Sequence, residues 1–480
     1  MPQAARRFDV GAAAAGATMA LTSALLVWAP VPLGSNRPWA WSLLALWSVT
    51  AMLSWVVARA AAPGPGLRAI WPVALAIATT LPVWAWAYLQ TVPAATIAWL
   101  EPNHLWSRAL GAGVADALPL VGLDATAGRD ALMLLMSYGA VFWLAWSLAQ
   151  DAERARRMLQ VILATITACA VYGLLNHFAG WETIGWIAKT AYLGDVTGTF
   201  VNRNNFATYA NLGVVICLCL LAEPFLAARR LDDVKRIAAQ AIEQVVDRRW
   251  PMTLTLAVLV MASLQSHSRG GLLSLALTVA VLGFLLFLVT RPRAVTAVIV
   301  LGVGLLGGWG LVAVSGGITL ERLGQIDANY DLEVAGRLTY WQVSLKMVEE
   351  HPWQGHGYGN FEQAFAQHRD ERFADRVDKA HNTYIEHLVE LGVPATVLLY
   401  LGPVILFGYC LRGAFVRRRD RLFPLVAVGA TVLVALHALV DFGLQIPAVA
   451  VTYAALFGIG VAQAAPSTQR PPRPGASLRD

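Results

Sequence analysis

GRLTYWQVSLKMVEEHPWQGHGYGNFEQAFAQHRDERFADRVDKAHNTY, residues 336–384, lies at the heart of the one long polar stretch of this chain, Gly316 to His387. The stretch holds 19 of the 66 Asp, Glu, Lys and Arg residues and five of the nine His; on either side the sequence is a series of apolar runs. It reads as the external working domain of a polytopic membrane enzyme, with the flanking runs as scaffold.

Composition agrees. The 480 residues are 57% hydrophobic and only 14% charged, against roughly 25% charged in a water-soluble domain. The 18 Trp and 23 Pro suit a chain with interfacial aromatics and spans that tolerate proline. Cys169, Cys217, Cys219 and Cys410 all fall in apolar runs without metal-ligand spacing, so they read as small apolar residues and not as a disulfide framework.

A spanning helix needs about 20 mostly apolar residues. Twelve such runs are present, near 11–30, 39–59, 70–93, 129–149, 158–178, 204–226, 250–266, 271–290, 294–315, 388–411, 423–441 and 445–464. With the N-terminus inside and strict alternation, the cytoplasmic segments carry 23 of the 36 Lys and Arg, and seven of the remainder lie in the 316–387 insertion. That bias places both termini inside and the insertion outside, and it assigns the net charge of +6 to membrane orientation and not to nucleic acid. The first run also resembles the apolar core of a signal peptide, but it is long for one. Residues 228–249 read either as an amphipathic helix on the inner leaflet or as a solvated connector. The expected organisation is all-α: spans 1–9 over 1–315, an external domain over 316–387, spans 10–12 over 388–464, and a disordered cytoplasmic tail over 465–480.

Three outer sites hold candidate chemistry. Thr197 to Phe206 enters the sixth span with Arg203 at the helix start and Asn residues available to cap it; backbone donors plus a guanidinium suit an oxyanion or phosphate, although a snorkelling arginine has the same look. Ser268-Arg269-Gly270-Gly271 fills the short turn between spans seven and eight, where charge is costly and glycine admits close approach to the backbone. Two arginines near one membrane face suggest a diphosphate clamp, a task for which the planar fork suits arginine better than lysine. His381-Asn382 stands where the external domain re-enters the membrane, and a neutral imidazole there is placed to take a proton from a sugar hydroxyl. Leu338, Trp341, Leu345 and Val348 predict an amphipathic helix resting on the membrane or bundle. Arg337 at its start suits phosphate, sugar or a structural ion pair. Pro352 ends the helix, and the Gly-Tyr-Gly run predicts a turn. The glycines between Gly302 and Gly310 read as helix packing. His356-Gly357-Tyr358-Gly359 lacks the strand and βαβ context of a dinucleotide loop.

Together Gly198–Asn205, Ser268–Gly271, Gly336-Arg337 with Trp341, Pro352–Phe361 and His381-Asn382 resemble the O-antigen ligase and O-antigen polymerase superfamily, in motifs over roughly 197–400 and in span count over the whole chain. The ligase pattern of His, then Asn, Ser or Gln, nine residues, Gly, two residues, and Gly, Thr or Tyr is met at His381, Asn382 and Gly392, but Ala395 stands at its last position. The resemblance implies an inverting glycosyltransferase of the GT-C type, independent of metal or other cofactor, in the bacterial inner membrane with its active site on the periplasmic side. It implies a glycan donor linked to undecaprenyl diphosphate, and lipid A–core or another lipid-linked glycan as acceptor. Arg203 and Arg269 would hold the diphosphate leaving group and His381 would act as base on, or orient, the acceptor hydroxyl; Asn202, Asn204, Ser268, Arg337, Trp341, Asn382 and Tyr384 complete the expected substrate-binding set. An exopolysaccharide polymerase or a protein O-glycan ligase shares these features. A transporter or flippase is disfavoured because ion-coupled carriers need carboxylates near the bilayer midplane, whereas the expected span centres hold no Asp or Glu, and Glu223, Glu390 and Asp441 fall near span ends. The motifs of shape–elongation–division polymerases are not recognised here.

Overall fold

The computed structural model describes residues 10–62, 67, 69–96, 100–106, 119–227, 249–290, 328–371, 373, 376–417 and 419–466. They are almost entirely helical. In chain order the helices are α1 (Val10–Trp28), α2 (Pro38–Ala61), α3 (Ile70–Leu89), α4 (Ala125–Leu148), α5 (Ala152–Phe178), α6 (Arg203–Ala227) and α7 (Trp250–Gln265), followed by α8 (Arg269–Thr290), α9 (Ala328–Glu350), α10 (Phe361–His368), α11 (Thr383–Leu391), α12 (Val393–Val416), α13 (Leu422–His437) and α14 (Pro447–Ala462). A two-residue hairpin, β1 (Thr183–Ile184) with β2 (Ile187–Ala188), interrupts the link from α5 to α6. Eleven of the twelve expected runs form helices. The ninth run, the segment at 228–248 and the tail from 467 lie outside the described residues.

Seven helices (α2, α3, α4, α5, α6, α8 and α12) are long and apolar enough to cross a membrane. The apolar α7, α13 and α14 have 16 residues each, about 24 Å at 1.5 Å per residue. Leu46, Leu53, Leu81, Leu273, Phe284 and Val404 point outward from the bundle, a surface far too apolar for water, so the chain is a multi-pass membrane protein. Helix α6 and helix α14 run through the middle, with Phe206, Tyr209, Val215, Leu456 and Ile459 buried.

The connections collect at two ends. At one, Gln463 Nε2 donates to Ala149 O (2.7 Å), Arg417 Nη1 donates to Ala465 O (2.7 Å), and Glu223 pairs with both Arg156 and Arg249. At the other, Val196 N–H donates to Gln265 O (3.0 Å), Gly34 lies against Phe200 and Ile446, and the polar insertion is seated. The described spans therefore alternate in direction from α1 to α8 and again from α12 to α14, and the described arginine-rich segments meet at the first end.

The polar insertion forms a cap with its own small core of Val343, Met347, Phe361, Phe365, Phe373 and Val389. The expected helix exists as α9: of its apolar stripe Trp341 and Val348 are half-buried, with Val348 against the cap core, and Leu338 and Leu345 are exposed, while Val343 and Met347 pack inward with Tyr340 half-buried against them. Burial goes where Phe365 and Phe373 offer aromatic surface, with Tyr340 edge-on to Phe365 at 6.1 Å. The Gly-rich run turns as expected, with Gly355, Gly357 and Gly359 at φ 68, 111 and 77. A Cβ on Gly355 would fall 2.3 Å from Glu390 O, so only glycine lets this turn lie against α11. Gly392, at φ 77, breaks the run expected to begin near 388, and the span starts at Val393. Gln90 ties cap to bundle: its Nε2 donates to Gln354 O (2.7 Å) and Glu390 O (2.9 Å), and its Oε1 accepts from Tyr358 N–H (2.9 Å).

The cap also holds titratable groups in opposition. His356 is fully buried, its Nδ1 accepting from Asn103 Nδ2 (3.2 Å) and its Nε2–H donating to Met347 O (3.0 Å). Burial pushes its pKa down to about 4, the Met347 bond opposing and the charges of His351 and His368 assisting. An unfolded imidazole titrates near 6.5, so the unfolded chain takes up this proton first. The stability linked to neutral His356 is whole above pH 6.5 and falls by about 3 kcal/mol as pH drops to 4. Buried Glu390 is raised, by burial first and then by Glu386, and runs the other way, losing stability as pH rises. The wild-type response is thus a partial cancellation. In His356→Gln the acid-side loss should vanish while the Glu390 slope remains, as read from thermal unfolding across pH 4–8; parallel curves for the two proteins would refute this assignment.

Candidate functional site

The expected site residues converge on the connector between α13 and α14. Sequence placed residues 438–441 inside a span, but α13 stops at His437. The freed carbonyls then serve as acceptors: Ala438 O from Thr383 N–H (2.9 Å), Val440 O from Arg337 Nη1 (3.0 Å), and Asp441 O from the Thr383 hydroxyl (3.2 Å). Asp441 itself is 1% exposed. Its Oδ2 accepts from Asn204 Nδ2 at 2.6 Å, and its Oδ1 accepts from Phe442 N–H at 2.7 Å.

His381 stands above that carboxylate. Its Nδ1 is 3.7 Å from Asp441 Oδ1, beyond a hydrogen bond, and is buried with no other partner. The ring is stacked on Tyr340 and meets Phe442 edge-on at 5.1 Å. The residue adopts φ 50, a left-handed conformation unusual for a side chain of this size. Asn382 follows in extended backbone, and its Oδ1 caps α11 by accepting from Tyr384 and Ile385 N–H, both at 3.1 Å. Trp341 Nε1 donates to Ala380 O (3.0 Å), fixing the residue before His381. The Tyr384 hydroxyl donates to Ala435 O on α13 (2.8 Å).

Arg203 opens α6. Asn202 Oδ1 caps that helix, accepting from Asn204 N–H at 2.7 Å. Arg203 Nη1 donates to Asp195 Oδ2 (2.8 Å), its guanidinium lies 5.4 Å from the Tyr192 ring, and its buried Nε–H has no hydrogen-bond partner. The other oxygen of Asp195 accepts from His267 Nδ1 at 2.6 Å. Burial by itself would raise the Asp195 pKa; the bonds from His267 and Arg203 outweigh it and hold the carboxyl below its usual range. His267 precedes the Ser268-Arg269 turn directly. Ser268 Oγ caps α8 by accepting from Gly271 N–H (3.2 Å), and Arg269, the first residue of α8, is exposed. A Cβ on Gly270 would touch Val440 and His437, so this helix start also abuts the connector.

All ten expected residues thus lie at one end of the bundle: Asn204, Arg337 and His381 meet the connector at Val440 and Asp441, and Arg203 is tied to the Arg269 turn through Asp195 and His267. Asn202, Ser268 and Asn382 engage their side-chain oxygens as helix caps. Two helix N-termini, α6 and α8, face the site with their positive ends, and unpartnered polar atoms of Arg203 and His381 remain buried there. Such an array suits a multiply charged anion beside a proton acceptor. Sequence reasoning missed Asp195 and His267, which are remote from each other in sequence, and set Asp441 aside as a span-end carboxylate. A costly acid placed at the outer end of an apolar run was the available signal.

No curated protein matches the chain. Residues 254–400, from α7 into α12, match the family model described as O-antigen ligase, which supports the O-antigen ligase and polymerase superfamily as the family of this chain.

Proposed function

We propose that the protein is an inner-membrane glycosyltransferase that moves a glycan from undecaprenyl diphosphate to lipid A–core on the periplasmic face. The reading is carried by the Asp441 connector, on which Asn204, next to Arg203, Gly270, next to Arg269, and His381 all border. Twelve spans fit it: the described chain leaves α8 at the arginine-rich end and resumes in α9 at the site end, on either side of the 294–315 run. The domain limits at 315/316, 387/388 and 464/465 belong to the same proposal, with the 316–387 insertion forming the periplasmic cap.

In the proposed reaction the acceptor hydroxyl attacks the anomeric carbon from the face opposite the diphosphate. The new bond forms as the carbon–oxygen bond to diphosphate breaks, so the configuration inverts. The electron pair leaves on the diphosphate, whose growing charge meets the guanidiniums of Arg203 and Arg269 and the two helix N-termini. The acceptor proton passes to His381, and the Asp441 carboxylate beneath the ring steadies the imidazolium as it forms. These cations supply the leaving-group stabilisation without a metal. Asn204, Arg337, Trp341 and Tyr384 position the elements that carry the reacting groups.

The same geometry serves a polymerase that extends lipid-linked repeats, and Ala395, at the departure from the ligase pattern, favours keeping that alternative. Purified protein should be given a glycan on undecaprenyl diphosphate with either lipid A–core or further lipid-linked repeats, in EDTA. Transfer to lipid A–core, lost in Arg203→Ala, Arg269→Ala and His381→Ala, is the expected result. A ladder of lengthening lipid-linked glycan would make it a polymerase, and full activity in the variants would sink the site.

A further inference from the structure

The link between α5 and α6 does not rise away from the bundle. Tyr172 lies six residues before the end of α5 at Phe178, about 9 Å back along the helix axis, and its hydroxyl accepts from Gly185 N–H (2.7 Å). Asn176 Nδ2 donates to Thr183 O (3.0 Å). The hairpin of β1 and β2 is therefore folded back along the last turns of α5, where Val171, Leu175 and Phe178 are exposed as part of the apolar outer surface of the bundle.

What the hairpin presents there is apolar. Trp186 is 94% exposed, Ile187 is exposed beside it, and residues 183–188 carry no charge. Indole rings favour the level where headgroups meet acyl chains. Peptide groups near that level are costly unless bonded. The hairpin bonds its own: Thr183 pairs with Ala188 and Ile184 with Ile187, Lys189 N–H donates to Glu182 O (2.9 Å), and Tyr172 takes Gly185 N–H.

The charges at its base are engaged with the protein. Lys189 Nζ donates to Asp195 O (2.9 Å) and lies 3.1 Å from Glu182 Oε2, while Glu182 Oε1 accepts from Gly194 N–H (2.8 Å). The hairpin is thereby fastened to Asp195, whose carboxylate holds Arg203 and His267.

We propose that this hairpin is a membrane-surface anchor, its tip seated at the headgroup–acyl boundary of the leaflet on the site side, with the lipid bilayer as the partner that covers Trp186 and Ile187. Through Lys189 and Glu182 the depth of the tip is passed to Asp195, so the bilayer sets the height at which Arg203 meets its anion. The anchor itself needs no substrate; only its effect on transfer rests on the proposed function.

The four cysteines are buried, so a nitroxide can be attached selectively at Trp186→Cys and, separately, at Ile187→Cys. Leu53→Cys on the exposed face of α2 and Glu371→Cys on the exposed cap serve as lipid and water references, all with the full chain in vesicles of phosphatidylethanolamine and phosphatidylglycerol. The ratio of collisions with oxygen to collisions with a water-soluble nickel chelate should be about tenfold higher at 186 and 187 than at 371, a partition of about 1.4 kcal/mol, and lower than at 53. Equal ratios at 186 and 371 would put the tip in water and overturn the proposal. So would low collision rates with both reagents, or dipolar broadening relieved by dilution with unlabelled protein, since another segment or a second copy would then cover the tip. Trp186→Glu should lower glycan transfer in vesicles about tenfold, while Trp186→Phe, which keeps an aromatic ring, should match the wild type. Unchanged transfer in Trp186→Glu, or an equal loss in Trp186→Phe, would overturn the link to Arg203. A boundary ratio at 186 with no glycan transfer by the wild type would uphold the anchor and refute the transferase reading.

Discussion

His381→Ala is expected to lower transfer about a thousandfold, within the range for loss of a positioned general base. The imidazole has unusual support for a residue in a loop. Its backbone is held left-handed at φ 50, Asn382 caps the helix that follows, Trp341 grips Ala380 before it, and Tyr340 and Phe442 bracket the ring. Conformational strain of this kind costs about 1–3 kcal/mol and persists where its surroundings enforce it. Asp441→Asn should cost less, about tenfold to a hundredfold, because it leaves the base in place and removes the charge that steadies it, while setting an amide against Asn204. Single-turnover transfer rates decide the matter. Wild-type rates in His381→Ala would remove it from the chemistry, and an Asp441→Asn loss equal to that of His381→Ala would point to collapse of the connector, which thermal unfolding would register.

The second large effect is at Arg203. Truncation to alanine should lower the rate of the chemical step by about a hundredfold to a thousandfold, as for removal of one fixed donor to a developing anion, with little change in donor KM. Arg203→Lys should recover only part of this, since an ammonium has no planar fork to span two phosphate oxygens. Asp195 holds Nη1 and so orients that fork, while the buried Nε–H has no hydrogen-bond partner. Full recovery by lysine would show that a point charge suffices; a loss confined to KM would make Arg203 a binding residue with no share in the transition state.

The helices were legible because the bilayer demands about 20 apolar residues per span, and runs of that length betray themselves. The turn at 355–359 was legible for a similar reason: three glycines in five residues allow little else. What escaped was pairing. His381 and Asp441 are brought together only because α13 ends four residues early, and the apolar letters of 438–440 give no sign of that. Asp195 and His267 meet across two loops whose geometry is set by the packing of α5, α6 and α7. On α9 the apolar spacing marked the helix, but it did not single out Tyr340, Val343 and Met347, the residues that join the cap core beside Phe365 and Phe373. The arginines were legible individually, since a charge at a helix start beside the membrane stands out; the carboxylate that aims one of them was not.

The connector after His437 offers the site its main-chain oxygens. Thr383 and Arg337 dock on the carbonyls of Ala438, Val440 and Asp441, and a carbonyl is common to every amino acid. Between His437 and Asp441, therefore, syllable count weighs more than spelling: exposed Leu439 can vary, buried Ala438 must stay small and Val440 rests near Gly270, while the distance from cap to bundle is metered in whole residues and the Asp441 carboxylate is the letter that must be read.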